Sequence, residues 1–585
     1  MPEKVKESIF SAISGVVLVF LVLTMVFNVR GNLQRAKADT VTTTVQVTNS
    51  APQWTVYPFE DPASATTTPT NVGTQVTFKA VATDANADDY FLAVCKTNAV
   101  TPHNGAPPTC DGGAWCISAT TTSGTTSTCS YLVQESDTNE TYEWYAFVCD
   151  AYEGGALCSP VSQGYGDSGS PFVVNHRPNF TFVSNDSPKD PGQTITWTTT
   201  ASDPDTIRGG DQIKLFVCST NGFNPNSGCT GETLASSTFV LTNPSSTYSI
   251  PIPKPDMTYD AYVFVIDQFY LAATGTAQGL NSSWTVNNVP PYVVTSTITI
   301  LNWDGATDKL TLTTEAGTTT GFKIKYQIVD NNSCWASGGN EISSVIAYVY
   351  RSGIGQAGCD SASKANNNNC YPEITDFVLE TCPGSTTAAI WATTTFTLWY
   401  HADPTVTSTP WETEVWKASV KAVDDDGATS PLVEGESSIE LDAFLALAIQ
   451  ESAINYGSVI PDIQSDQQTT TIKATGNTGL DQELGGNPMV CSSGGCGNST
   501  ISVDRQYWYL ASGTDWGTLP TSTYRNFLSA SSTPVYCQLE CPKSTSTTPA
   551  SKPTYWRIKV VAAQPRGLYT GLNYFTAIMS ASSTW

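Results

Sequence analysis

Aspartates are the residues best placed to do chemistry in this chain, and they recur. Tyr142-Glu-Trp-Tyr-Ala-Phe-Val-Cys-Asp150 alternates apolar residues and ends on an acid. So do Tyr259-Asp-Ala-Tyr-Val-Phe-Val-Ile-Asp267 and Val415-Trp-Lys-Ala-Ser-Val-Lys-Ala-Val-Asp424, the last running on into Asp425 and Asp426. A second set closes an earlier strand: Asp84, Asp88 and Asp89 in one place, Asp203, Asp205 and Asp211 in another. Gathered carboxylates repel one another, and a bound cation reverses the sign of that term. Ca²⁺ suits such a set because it takes about six to eight oxygen ligands. These acids are therefore expected as ligands of structural calcium. The competing reading is a series of solvated turn aspartates, since Asp is a common turn residue. No Asp-x-Asp-x-Asp-Gly loop with a trailing Glu is present, which excludes an EF-hand.

Cysteine is the other reactive residue. The chain has 16, with no CxxC, and its three histidines, His103, His176 and His401, lie far apart. Disulfides in an oxidising space follow more readily than metal thiolates. Neighbours in sequence suggest Cys95–Cys110, Cys116–Cys129, Cys149–Cys158, Cys218–Cys229, Cys491–Cys496 and Cys537–Cys541. Cys334, Cys359, Cys370 and Cys382 leave their pairing open. No catalytic residues are expected. The histidines sit in loops, no cysteine is left over as a nucleophile, and neither a Gly-x-Gly-x-x-Gly nor a P-loop signature occurs. A repeated acid argues for a repeated structural task.

Composition narrows the partners. A net charge of −25 makes nucleic acid a poor partner, because phosphate recognition needs clustered Lys and Arg. With 40% hydrophobic but only 14% charged residues, the 585-residue chain can bury several cores while its polar surface is mostly uncharged Ser, Thr, Asn and Gly. Near the N-terminus, Ile9 to Phe27 runs without a charge, nearly the length of a bilayer core. Residues 9–27 are read as a retained membrane anchor in preference to a cleaved signal, with the cysteine-rich bulk outside the cell.

The acids must be positioned by repeated elements, and the repeats extend well beyond one strand. Val47-Thr-Asn-Ser-Ala-Pro-Gln-Trp54, Val174-Asn-His-Arg-Pro-Asn-Phe180 and Val286-Asn-Asn-Val-Pro-Pro-Tyr292 share Val, Asn, a spacer, Pro and an aromatic. Val72-Gly-Thr-Gln-Val-Thr-Phe-Lys-Ala-Val-Ala-Thr-Asp84 matches Pro191-Gly-Gln-Thr-Ile-Thr-Trp-Thr-Thr-Thr-Ala-Ser-Asp203. Alternation of period two, β-branched and aromatic residues, and turn clusters every ten or so residues predict antiparallel β-sandwiches. A helix is conceivable only at Ile439–Gln450 beyond the N-terminal 40 residues. The expected division is an anchor at 1–40, sandwiches at 41–172, 173–285 and 286–445, the third carrying a long cysteine-containing insertion, and a last sandwich at 446–585.

On those motifs, together with Asn455-Tyr-Gly-Ser-Val459 and Tyr569-Thr-Gly-Leu-Asn-Tyr-Phe-Thr-Ala577 in the last segment, the chain resembles tandem Ig-like (PKD/cadherin-like) cell-surface proteins of prokaryotes, including S-layer and S-layer-like proteins. That resemblance implies an all-β string of Ig-like domains at the cell surface. In cadherin-like relatives strand-end acids of neighbouring domains share calcium at the junction, which would make Asp84, Asp150, Asp203, Asp267 and Asp424 junction ligands. It further implies an S-layer or coat subunit that self-associates in a lattice. An adhesin for glycan or a neighbouring cell is the alternative, and a surface-anchored hydrolase the third. Exposed aromatics could stack on sugar rings, but Trp391, Trp399, Tyr400, Trp411, Trp416 and Tyr507-Trp-Tyr509 fit core packing better.

Overall fold

The computed structural model describes residues 42–513 and 526–585. The expected anchor at 9–27 lies outside the described residues. No helix among those described is long and apolar enough to cross a membrane. Strands dominate, broken by short 3-10 turns, and no α-helix occurs among the described residues. The chain folds as Ig-like β-sandwiches.

Two compact units emerge. One is built from the chain up to Pro62, Val76–Tyr131 and Glu143–Pro171; the other takes Ala63–Gln75, Leu132–Tyr142 and Phe172–Trp585. In the first, one sheet joins Gln53–Glu60, Gln75–Thr83 and Thr126–Leu132, and a second joins Tyr145–Asp150, Tyr90–Cys95 and Ala114–Ile117. Alternation of period two sends Val76, Phe78, Ala80 and Ala82 inward from one strand, each fully or almost fully buried. Trp144 fills the core beside Phe78 and donates its Nε1–H to Glu60 Oε1 at 2.8 Å, so neither polar group is left alone in the interior.

The second unit repeats this plan. Asn179–Asn185, Thr194–Ser202 and Ser246–Ser249 face Thr233–Ser236, Ile213–Cys218 and Tyr262–Asp267 across a core of Phe180, Ile195, Trp197, Leu215, Val263 and Trp284. A larger sandwich follows, with Thr319–Val329 and Ala389–Trp399 central to one sheet and Ile342–Arg351 and Trp416–Asp424 central to the other. The last places Gln468–Ala474 and Ser551–Ile558 against Leu480–Gly486 and Val535–Cys541. Between these last two sandwiches the buried Lys543 pairs with Asp403 at 3.0 Å, and Asp403 also meets Arg351 at 3.2 Å.

Three glycines mark equivalent turns. Gly73, Gly192 and Gly317 hold φ of +83°, +84° and +87°, a region L-residues avoid, and each opens a long strand that leads to an aspartate. The strand ends also share a register. Asp150 lies opposite Tyr90, Asp267 opposite Ile213, and Asp424 opposite Ile342. The acids Asp89, Asp211 and Glu341 immediately or almost immediately precede those partners, so the fold brings the acids of two connections to one end of each sandwich.

Several expectations need correction. Ile439–Gln450 is not helical; Glu440–Leu441 pairs with Lys309–Leu310, and Leu447–Ile449 pairs with Gln468–Ala474. A short isolated helix is marginal, and each half of the segment finds a sheet edge instead. Among the described residues seven disulfides form, including Cys95–Cys110, Cys116–Cys129, Cys149–Cys158, Cys218–Cys229 and Cys491–Cys496. The open set resolves as Cys334–Cys382 and Cys359–Cys370. Cys537 and Cys541 remain buried thiols. They lie on one strand, Val535–Cys541, where four residues of regular extension span on the order of 13 Å, against a disulfide limit near ~7 Å between Cα atoms. Among the aromatics, Tyr400, Trp416 and Trp508 are buried, while Trp391, Trp399 and Trp411 are half-buried.

Candidate cation sites at the strand ends

Three positions build the same arrangement from the same parts. The chain enters each of the first three sandwiches through an asparagine: Asn49, Asn175 and Asn288. The long strand ends on Asp-x-Asx: Asp84-Ala-Asn86, Asp203-Pro-Asp205 and Asp330-Asn-Asn332. A late strand ends on Asp150, Asp267 or Asp424.

The bonds repeat as well. Asparagine Nδ2 donates to the late aspartate's Oδ2 at 2.9, 2.6 and 3.1 Å in the three copies. The N–H two residues beyond the first aspartate donates to its Oδ1: Asn86 to Asp84 at 2.6 Å, Asp205 to Asp203 at 2.9 Å, Asn332 to Asp330 at 2.7 Å. That Asx side chain in turn accepts the N–H of the residue after the entry asparagine. Ser50 donates to Asn86, His176 to Asp205 and Val289 to Asn332, at 3.0, 2.8 and 2.7 Å. The late aspartate's Oδ1 accepts the N–H of Tyr152, Phe269 or Ala428.

What these bonds leave over is the same each time. Oδ1 of Asn49, Asn175 and Asn288, and Oδ2 of Asp84, Asp203 and Asp330, are buried and find no hydrogen-bond partner. The asparagines cannot be turned the other way, because their amino groups face carboxylates. Each unpaired buried acceptor costs about 1–3 kcal/mol, and its recurrence in three copies marks a design. Oxygen acceptors beside carboxylates are the donor set of a hard divalent cation.

The copies differ in the charges around this frame. In the first, Asp88 is half-buried and its carboxyl is pushed up by burial and by Asp84, Asp150 and Asp89, while Asp89 is exposed. In the second, carboxylate oxygens of Asp203, Asp205 and Asp211 come within 4.8 Å of one another. Two of the chain's own cations meet them. Arg208 Nε donates to Asp211 Oδ1 at 2.7 Å, and the guanidinium lies 3.5 Å from Asp205. His176 sets Nδ1 2.6 Å from Asp205 Oδ1 and Nε2 2.6 Å from the carbonyl of Asp137. The Asp205 hydrogen bond, outweighing burial, lifts His176 to about 9, so it is charged at neutral pH. Burial pushes Asp203 to about 8 and Asp267 to about 6.

The third copy collects more acid. Asp330 and Asp424 of the frame are joined by Glu341, Asp256, Asp425 and Asp426, the last two exposed. Glu341 is 0% exposed and neither of its carboxylate oxygens has a partner. Burial, then Asp256, Asp425, Asp330 and Asp424, push it to about 9. Burial holds Asp330 at about 7 and Asp256 at about 6, the latter also sharing a hydrogen bond with Asp426. Among the described residues no Lys, Arg or His forms an ion pair with any of these six acids.

The structure thus brings Asp84, Asp88 and Asp150 together, then Asp203, Asp205, Asp211 and Asp267, then Asp424 with its two followers. Sequence reading missed the three asparagines, Asp256, Asp330 and Glu341. The asparagines were visible as part of the repeated Val-Asn start but marked only a boundary.

No protein-family model matches the sequence, and no curated protein matches it either. Among solved structures the chain is similar to fibronectin(III)-like modules of Clostridium thermocellum CbhA. That match has 15% identity and a TM-score of 0.19, covering 39% of this chain and 94% of that one. It is also similar to a marsupial T cell receptor, at 9% identity and a TM-score of 0.24, covering 60% and 93% respectively.

Proposed function

We propose that the chain is a structural protein of the cell surface, a subunit of an S-layer or coat that assembles through lateral contacts between copies of its Ig-like domains. The observation that carries this reading is the Asn–Asp frame built three times over. A repeated frame at successive domain ends serves the geometry of the chain, whereas an enzyme needs one pocket unlike the rest. Seven disulfides support an oxidising, extracellular setting. Calcium is the cofactor of this reading, drawn to the strand-end oxygens, and residues 9–27 are its anchor.

Cryo-electron tomography of the cell envelope, in calcium and after EGTA, tests it. A regular lattice that loosens on chelation is expected; scattered single stalks would sink the coat. An adhesin for glycan has one observation in its favour. Trp303 is 60% exposed, with Lys323 4.6 Å from its ring centroid, and it flanks a cleft lined by Asn367, Tyr371 and Asp376. If that cleft holds sugar, Trp303→Ala abolishes binding on a glycan array.

A further inference from the structure

We propose that Lys543 and Asn368 are the partners of a self-formed isopeptide bond that joins the last sandwich to the third, with Asp403 and His401 as its catalytic residues. The proposal goes beyond the coat reading and is tested without it.

The parts come from separate loops. Lys543 follows the strand Val535–Cys541, and Asn368 lies in the insertion of the third domain, inside the loop that Cys359–Cys370 closes. Asp403 donates its N–H to the Asn368 carbonyl at 2.8 Å, which holds that loop in place. Lys543 Nζ is buried among four oxygens. They are the carbonyl of His401 at 2.6 Å, Asp403 Oδ1 at 3.0 Å, Asn368 Oδ1 at 3.1 Å and its neighbour Ser544's carbonyl at 3.1 Å. The Asn368 amide is half-buried and fixed in orientation. Its Nδ2 donates to the Thr545 carbonyl at 2.9 Å and to Asn366 Oδ1 at 3.1 Å, so Oδ1 is the atom that faces Lys543 and His401 Nδ1, each at 3.1 Å. A carbonyl of about 1.23 Å then puts Cγ at most about 4.3 Å from Nζ, less than roughly 1 Å short of the ~3–3.5 Å of a near-attack pair.

The groups around this pair suit amide exchange. His401 is 1% exposed, and burial, then Lys543, lower it to about 4, so its ring is neutral at pH 7. Nδ1 faces an acceptor and carries the ring proton, while Nε2, buried without a partner, is the bare nitrogen. A neutral N–H aimed at the amide oxygen is what a developing oxyanion needs. Burial also lowers Lys543, easing loss of its proton to Asp403. Asp403 accepts a proton from Nζ, and the freed electron pair attacks Cγ of Asn368 while His401 Nδ1–H steadies Oδ1. Asp403 hands its proton to Nδ2 as the Cγ–Nδ2 bond breaks, then takes the second Nζ proton, which leaves with ammonia as ammonium. An ammonium side chain and an amide become an amide and free ammonium, with no oxidant, reductant or water consumed. Lys543 loses its charge, and Arg351, 3.2 Å from Asp403, remains as the boundary's own cation.

Tryptic mapping of the full chain by tandem mass spectrometry, after reduction and alkylation, reads the bond directly. In wild-type protein Lys543 and Asn368 should appear in one branched peptide, lighter than its two arms by one ammonia. Lys543→Arg and Asn368→Ala should each return two linear peptides, and so should Asp403→Asn. Circular dichroism checks the fold of each variant. If Asp403→Asn does not fold, His401→Leu should slow the appearance of the branched peptide on the order of 100-fold in samples taken at intervals after synthesis. Two linear peptides from the wild type, the mark of an ordinary ion pair, would overturn the proposal. So would a branched peptide lighter by one water, which puts the bond on Asp403, or a bond that forms as fast in Asp403→Asn or His401→Leu as in the wild type. A lattice can form in any of those cases, and a missing lattice leaves this experiment standing.

Discussion

The second and third strand-end sites share a frame and differ in what answers their charge. At the second, Arg208 and His176 meet Asp205 and Asp211. At the third, six acids share the space, and no basic side chain among the described residues is paired to them. The difference teaches that a repeated backbone frame does not fix the chemistry of a junction. Arg208, in the loop after Asp203, and His176, next to the entry asparagine, supply cations at the second site, and the third copy has no basic ion-pair partner among the described residues. The boundary between the third and fourth sandwiches follows the first solution, with Lys543 against Asp403.

The largest expected effect comes from breaking the self-neutralised site. Arg208→Ala leaves Asp211 buried without its cation and Asp205 with His176 alone, and losing one partner of a buried pair costs about 3–5 kcal/mol. If the two sites are alternative answers to one problem, calcium should now restore much of that loss, seen as a calcium-dependent melting temperature that wild-type second-copy contacts do not need. A large loss that calcium leaves untouched would break the comparison.

A smaller effect is expected from pH. In EGTA, Glu341 at about 9, Asp330 at about 7 and Asp256 at about 6 hold protons more tightly folded than unfolded. The folded state therefore binds more protons across the window from about pH 4 to 9, and stability falls as pH rises through it. Asp203 at about 8 acts in the same direction, and the stability that His176 contributes is lost as pH climbs through about 9. Calcium binds the deprotonated carboxylates, so its stabilising effect should grow with pH. Denaturant midpoints at pH 5 and pH 8, with and without calcium, measure both slopes. Metal-free stability that is flat or rising would contradict the buried-acid picture, and Glu341→Gln should reduce the slope above pH 7, leaving the share of Asp203 and His176.

The smallest effects are those of the shared frame. Asn175→Ala and Asn288→Ala each delete one hydrogen bond to a buried aspartate, worth about 1–3 kcal/mol with a charged partner. Without metal Asn175→Ala should cost the more, because Asn175 Nδ2 also donates to Asn71 Oδ1 at 2.9 Å. Calcium should raise the cost of Asn288→Ala, because the change removes a ligand, and leave that of Asn175→Ala unchanged; no rise for Asn288→Ala would place no ion there.

Much of this was legible in the sequence because β-structure writes itself locally. Alternation placed Phe78, Trp197 and Val265 inward, and the Gly turns before Thr194–Ser202 and Gln75–Thr83 announced where strands begin. The late aspartates were legible because each ends an apolar strand. Glu341 and Asp330 were not. The third copy departs too far from the other two for Gly317 to be matched with Gly73, so Asp330 was not aligned with Asp84. Glu341 is a different residue type at the place of Asp211, and only register against Asp424 brings it in. Asp256 joins from another domain, a contact no local pattern carries. Arg208 was unreadable for the opposite reason: a lone arginine in a turn gives no sign of the two carboxylates it will meet.

The disulfides bear on how such a chain is made. Six of the seven close between cysteines only 15, 13, 9, 11, 11 and 5 residues apart. Where a chain reaches an oxidising space progressively from its N-terminal side, the correct partner is the next thiol to arrive, and short loops close fastest. Cys334 is the exception, waiting 48 residues for Cys382 while Cys359 and Cys370 pass. Chain order alone therefore specifies six of the bridges, and the third domain is the one place where thiol–disulfide exchange would have to correct a mispairing.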